Sequence, residues 1–270
     1  MNCTFEKKKN SIYFEMRQFR YFLKFAFKGA NYHGWQLQKN SVSVQEVINE
    51  GLSQILRENI NVCGAGRTDA GVHAKEFFAH FDTSNSFSVI ERKNLVFRLN
   101  KYYPDDIAIE DLIPVEPTAH ARFDAISRTY KYFITRKKDP FGKEFMFFLF
   151  GDIDFNLMNE GAKLLFDYSD FTSFSKTDTQ VKTNNCKIMS AEWTEENDRM
   201  VFTIKADRFL RNMVRAIVGT LLDIGRKKVS LEDFNNIIKS RNRSEAGYSV
   251  PGHGLFLYKI DYPEKIFLIS

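Results

Sequence analysis

Cysteine is nearly absent. Cys3, Cys63 and Cys186 are the three in 270 residues, far apart and with no C-x-x-C spacing. A disulfide scaffold and a zinc ribbon are excluded, and a reducing, cytoplasmic setting is the simplest expectation. Proline is scarce at 6 residues and glycine modest at 14, which excludes collagen-like and low-complexity chains. Long apolar runs are missing as well. The longest, Phe145 to Phe150, falls far short of the ~20 residues of a membrane-spanning helix. The first nine residues carry charge with no apolar stretch behind them, unlike a secretory leader. Charge of one sign is in short supply: 39 Lys and Arg against 34 Asp and Glu leave only +5. That is too little to name a partner by itself.

Phenylalanine is in excess, with 27 residues beside 11 Tyr and only 2 Trp. A Phe-rich core is the plain explanation. The length suits two units of about 100–150 residues. We expect an unstructured lead-in over residues 1–15, an N-terminal half over 16–115 and a C-terminal half over 116–270.

Hydrophobic periodicity supplies the elements. Phe19, Tyr21, Leu23, Phe25 and Phe27 alternate with Arg20 and Lys24, predicting a half-buried strand over 19–27. Ser43-Val-Gln-Glu46 reads as a capping box with Val42 and Val47 as its hydrophobic staple, opening a helix over 44–57. Strands at 60–64 and 76–82, a helix at 91–101 and a strand at 107–115 follow. The second half repeats the vocabulary: a strand at 129–135, a helix at 157–166, and strands at 187–194 and 200–206. A strongly apolar helix at 208–224 has Gly225 as its C′ residue. A capped helix from Ser230 to 240 and a strand at 254–261 close the chain. Strands and helices mix without strict β-α alternation, so the class is α+β with a largely antiparallel sheet.

The most distinctive stretch is Gly64-Ala-Gly-Arg-Thr-Asp-Ala-Gly-Val-His-Ala74. It is not a phosphate loop. The sixth position of a dinucleotide fingerprint would be glycine and here is Asp69, and there is no G-K-[ST]. It sets a guanidinium (Arg67) and a carboxylate (Asp69) two residues apart, between glycines that permit close backbone approach. An isolated R-x-D would be a turn with a local ion pair. His73 and His80 have neither helical i, i+4 spacing nor a carboxylate partner at ligand spacing, so they read as structural or loop residues.

Eleven residues in this order say more. With Asn31-Tyr-His-Gly-Trp-Gln36, Ser43-Val-Gln45, Ala121-Arg-Phe123, Ser127-Arg-Thr-Tyr-Lys-Tyr132, Phe209-Leu-Arg-Asn-Met-Val-Arg215 and Pro251-Gly-His-Gly-Leu255, they resemble the signatures of the tRNA pseudouridine synthase A family. The resemblance covers about residues 18–262. It implies two ferredoxin-like halves with joined sheets and the active cleft between them. It further implies a cofactor-free, metal-free homodimer that converts uridine to pseudouridine at positions 38, 39 and 40 of the tRNA anticodon stem-loop.

By that resemblance Asp69 is the catalytic aspartate. A carboxylate can add to C1′ of the ribose or C6 of the ring, or promote glycal formation, and then leave; the route stays open. Arg67 lies beside it, and Arg215 matches an arginine of the late helix. Two such cations would favour the charged carboxylate. Tyr130 matches a substrate-contacting tyrosine, as a flipped base needs a stacking partner, and Leu255 would wall the uracil pocket. Basic residues crowd these elements: Arg122, Arg128, Lys131, Arg136, Lys137 and Lys138 near the central strand, and Arg208, Arg211, Arg215, Arg226, Lys227 and Lys228 near the late helix. Together they would track an RNA backbone. Lys28-Gly-Ala30 stands where the family has Asp-Gly-Thr, and Gly252 replaces a usual alanine. Two rivals remain: a catalytically idle RNA-binding module on the same fold, and a paralogue serving another RNA.

Overall fold

The computed structural model describes residues 19–176 and 183–268; the expected lead-in over residues 1–15 lies outside them. The alternating segment at the start forms β1 (Phe19–Phe27), paired antiparallel with β3 (His73–Thr83) on one side and β4 (Ile107–Val115) on the other. Between β1 and β3 come α1 (Val44–Leu56) and the short β2 (Cys63–Gly64), and α2 (Val89–Tyr102) leads into β4. The Ser43–Glu46 capping box forms at α1. Its expected staple partner Val42 is exposed (53%), so the cap hydrogen bonds fix this helix start. A second box, Ser88–Glu91, starts α2.

The next segment lays down β5 (Ser127–Thr135), β6 (Phe147–Phe148), α3 (Phe155–Leu164), β7 (Ile188–Glu196) and β8 (Arg199–Ala206). Then follow α4 (Met213–Gly225), α5 (Leu231–Ser240) and β9 (Leu255–Asp261). One nine-stranded sheet results, in the order β4-β1-β3-β9-β5-β8-β7, with β2 added to β3 and β6 to β5. The last strand therefore lies in the middle. It runs antiparallel to β5 and parallel to β3, the parallel contact being His73 opposite Phe256 and Ala74 opposite Leu257. The fold is thus a mixed α and β architecture on a mostly antiparallel sheet.

Two core clusters flank that seam. The first joins β1, β3 and β4 to α1 and α2 through Leu23, Phe25, Phe77, Ile48, Leu52 and Leu99. Trp35 packs against Phe77 there, the rings tilted and their centroids 4.4 Å apart. The second joins β5, β7 and β8 to α3, α4 and α5 through Ile134, Phe202, Trp193, Met158, Ile217 and Phe234. Chain order does not divide them: Leu257, Ile260 and Ile266 return from the C-terminus to the first cluster, and Val72 belongs to the second.

Several expectations are corrected. Residues 60–62 lie outside the strand, leaving β2 two residues long. The long helix begins at Met213, five residues later than periodicity indicates, because Asn212 is left-handed (φ 68°) and a right-handed helix cannot pass through it. Gly225 is the last helical residue, and Arg226 follows as the cap. On β1, Phe22 is buried as completely as its alternating neighbours and meets Tyr262 and Phe267 edge-on. Both faces of that strand are covered, which a strict alternation does not foresee. The phenylalanine surplus is only partly core: Phe97, Phe123, Phe141 and Phe150 are exposed. Among the described residues no helix is long and apolar enough to cross a membrane.

Candidate active site

The Asp69 loop spans β2 to β3 and has no secondary structure of its own, so other backbone holds it. The Trp35 amide donates to the Thr68 carbonyl (3.3 Å), and the Val72 amide closes the turn onto the Asp69 carbonyl (3.2 Å). Gly34 adopts φ +89° directly against the Thr68 carbonyl, where any Cβ would collide. A Cβ at Gly252 would likewise lie 2.7 Å from the Ala70 carbonyl oxygen. The Asn-Tyr-x-Gly-Trp stretch and the Pro-Gly-His-Gly stretch therefore act as a backbone clasp on the loop. Behind it, buried His73 accepts from the Gly29 amide at Nδ1 (3.0 Å). Its Nε2–H is left to donate to the carbonyls of Glu144 and His253 (3.1 Å each). Burial holds this imidazole below its ordinary pKa, so it is neutral.

Asp69 itself is 22% exposed. Its Oδ2 accepts from Arg215 (3.2 Å), and Arg211 approaches Oδ1 at 3.8 Å. Arg215 sits in the first turn of α4, whose other faces are almost wholly buried. Its Nε donates to the Val250 carbonyl (2.7 Å), which aims the guanidinium. The second cation is thus Arg211, not Arg67. Arg67 is exposed, and its Nε donates to Gln36 (3.1 Å), itself bonded to Gln45. Residues two apart in an irregular loop need not point the same way, and sequence adjacency misled here. Arg211 was visible as a member of a basic run and of the late-helix signature, with no role of its own attached. Its role depends on the non-helical approach to α4, which the periodicity masked.

Tyr130 lies on β5 beside this pair. Its ring packs edge-on against Phe209 (centroids 5.1 Å apart). Burial pushes the phenol well above its ordinary pKa, Arg128 pulls it back and Asp69 adds to the rise; the hydroxyl is neutral at pH 7. Leu255 opens β9 opposite Tyr132 and is 5% exposed, part of the second core cluster. Asp69, Arg215 and Tyr130 thus converge where the two clusters meet. Arg128, on the same face of β5 as Tyr130, donates to the carbonyls of Ala65, Ala125 and Asp207 (2.8–3.0 Å) and to that of Arg122. It laces the Asp69 loop to both clusters. Neither spacing nor composition marks an arginine that binds carbonyls in place of acids.

The basic runs are only partly available to a polyanion. Lys131, Arg136 and Lys137 pair with Glu196, Asp152 and Asp198, and Lys28 with Glu144. Arg122 stays exposed over the Phe123 ring (5.6 Å).

Among the described residues, one cluster has metal-ligand chemistry. Cys63, His80 and His120 bring ligand atoms within 4.8 Å of one another. Both rings are already committed. His80 Nδ1 accepts from the Ala121 amide (3.1 Å), and His120 Nδ1 from the amides of Arg122 and Phe123 (3.1 and 3.3 Å). Each Nε2 therefore carries the ring proton and has no lone pair for a cation. The trio fits a packed hydrogen-bond cluster, not a metal.

Comparison with known proteins agrees in one direction. Residues 162–263 match a family model described as tRNA pseudouridine synthase. The chain is 54% identical over 254 residues to a protein of Parabacteroides distasonis named tRNA pseudouridine synthase A, covering 93% of this chain and 99% of the relative. A Bacteroides fragilis protein of the same name is 53% identical over 249 residues (92% and 98%). A more distant one from Clostridium acetobutylicum is 37% identical over 242 residues (89% and 98%).

Proposed function

Because the chain belongs to the tRNA pseudouridine synthase A family and is an isomerase that converts uridine to pseudouridine in tRNA, we propose that it acts on the anticodon stem-loop, at positions 38, 39 and 40, with Asp69 as the group that detaches uracil. The observation that carries this reading is the Asp69 carboxylate held by Arg215 beside Tyr130 at the seam of the two core clusters. In the reaction the N1–C1′ bond breaks, the C5–C1′ bond forms, the C5 proton leaves and N1 gains one. No atom is lost and no electron is transferred, so side chains suffice and neither cofactor nor metal is required.

Each residue then has a task. Asp69 supplies the nucleophile or base, with the choice among C1′ addition, C6 addition and glycal formation left open. Arg215 orients it. Tyr130 stacks on the flipped base, a contact worth ~1–3 kcal/mol, and Leu255 walls the uracil pocket. Arg67, exposed at the loop, meets the RNA. The architecture is read as two ferredoxin-like halves over 16–115 and 116–270 with the cleft between them. Two copies form a cytoplasmic homodimer that holds one tRNA.

Tritium release from tRNA labelled at uracil C5 tests the chemistry. Asp69→Asn is expected to lower release by at least ~10³-fold with its melting temperature retained. Unchanged release in Asp69→Asn would sink the assignment of Asp69, whereas no release by the wild type would leave an RNA-binding module without the chemistry. Carbodiimide mapping of pseudouridine in a deletion strain tests the target. Loss confined to positions 38–40 supports it, and loss elsewhere assigns another RNA site.

A further inference from the structure

The two arginines that meet Asp69 are held very differently. Arg215 is 21% exposed, stands within α4 and is pinned by the Val250 carbonyl. Arg211 is 57% exposed and precedes the helix, and its side chain reaches Asp69 only through Nε at 3.8 Å. Its backbone is nevertheless fixed. The Lys176 amide donates to the Arg211 carbonyl (3.0 Å), and the next residue, Asn212, donates from its side chain to Ser249 Oγ (2.6 Å). Arg211 is thus a long, exposed cation on a rigid base at the lip of the site, with a partner it holds weakly.

An exposed ion pair at this distance is weak and easily screened. A guanidinium meeting a phosphate through two parallel N–H···O bonds is far stronger. The substrate class proposed above is a polyanion that must approach a carboxylate of like charge. We infer that Arg211 is an exchangeable phosphate-binding residue: it covers Oδ1 of Asp69 in the free enzyme and transfers to a backbone phosphate of the bound RNA. Transfer uncovers Oδ1 while Arg215 keeps Oδ2, so the carboxylate becomes available only when RNA has arrived. The inference rests on tRNA being the substrate.

The experiment compares wild type, Arg211→Gln and Arg211→Lys, using full-length tRNA already converted to pseudouridine so that no turnover intervenes. Binding is measured from 50 to 300 mM KCl, and steady-state kinetics are run on unmodified tRNA. One lost phosphate contact flattens the slope of log affinity against log salt by about 0.7 to 0.9. Arg211→Gln is expected to show that flattening, with about 3- to 10-fold weaker binding at 100 mM and a rise in KM that exceeds any fall in kcat. Lysine, a point-charge phosphate ligand, is expected to restore the slope. An unchanged slope in Arg211→Gln, or a fall in kcat with KM unaltered, would overturn the inference and make Arg211 a second fixed partner of Asp69. Salt-independent tRNA binding by wild type would instead count against the substrate reading itself. Arg211 is exposed, so melting temperatures of the three proteins should coincide.

Discussion

The carboxylate side and the cation side of the site are positioned by opposite means. Asp69 sits on an irregular loop whose place is set by backbone: the Trp35–Thr68 hydrogen bond, the close approach of Gly34 and Gly252, and the carbonyl held by Arg128. Arg215 comes on a helix in which nearly every other residue is buried, so packing alone delivers it, and one hydrogen bond to Val250 completes the aim. A loop has no internal ladder and must borrow partners for its polar backbone; a buried helix brings its own. The site is therefore as accurate as the backbone contacts that hold the loop.

That contrast can be broken or sharpened by measurement. After Asp69→Asn itself, the largest expected effect is on the cation side. Arg215→Gln removes a guanidinium that the helix has already placed, and it should cost ~10²-fold in kcat. If its cost matched that of Arg211→Gln, the distinction between an anchored and an exchangeable arginine would fail.

On the loop side, His80 offers a pH test, since it supports the 120–123 segment bonded to Arg128. Burial pulls its pKa down to about 4, His120 and Arg20 push the same way, and Asp82 and Asp124 oppose them. The unfolded chain, with histidine near 6.5, binds the extra proton between pH 6.5 and 4. Stability should therefore fall as pH drops through that window, by on the order of 2–3 kcal/mol. Urea midpoints across pH would show this, and His80→Gln should flatten the slope; a slope kept in full would place its origin elsewhere.

Gly34→Ala strikes the clasp directly. A Cβ at φ +89° facing the Thr68 carbonyl should cost about 2 kcal/mol and displace Asp69, so activity should drop beyond the loss of folded protein. Equal losses in both would mean that Gly34 matters only for stability. The smallest effect is expected at Tyr132, whose hydroxyl donates to the Pro251 carbonyl (3.0 Å) beside the anchor of Arg215. Tyr132→Phe should cost ~1 kcal/mol in urea denaturation with kcat nearly retained. A large kcat loss would show that the 250–251 segment depends on that one bond for its position.

Legibility followed the range of the interactions. The strands at 19–27 and 107–115 and the capped helices were readable because alternation, helical period and Ser–x–x–Glu boxes are local signals. The start of α4 was not, because Phe209 and Leu210 continue an apolar period while Asn212 turns the backbone left-handed. Asp69, Tyr130 and Arg215 could be named from the motif resemblance. The turning of Arg67 toward Gln36 and the work of Arg128 could not, since both depend on chain segments tens of residues away.

By itself the sequence determined most of the element inventory, the mixed class and the family, and it singled out Asp69 as the candidate carboxylate, all of which rest on residue type and short spacing. Only the tertiary structure decided that the last strand closes the middle of the sheet, that the loop is clasped by glycines from two distant motifs, and that the loosely held cation at Asp69 is Arg211. The first is set by β9 pairing with β3 and β5, each more than 100 residues away in the chain, and the other two by loop segments that this pairing brings together. That choice is made by burying two cores at once, and no local pattern encodes it.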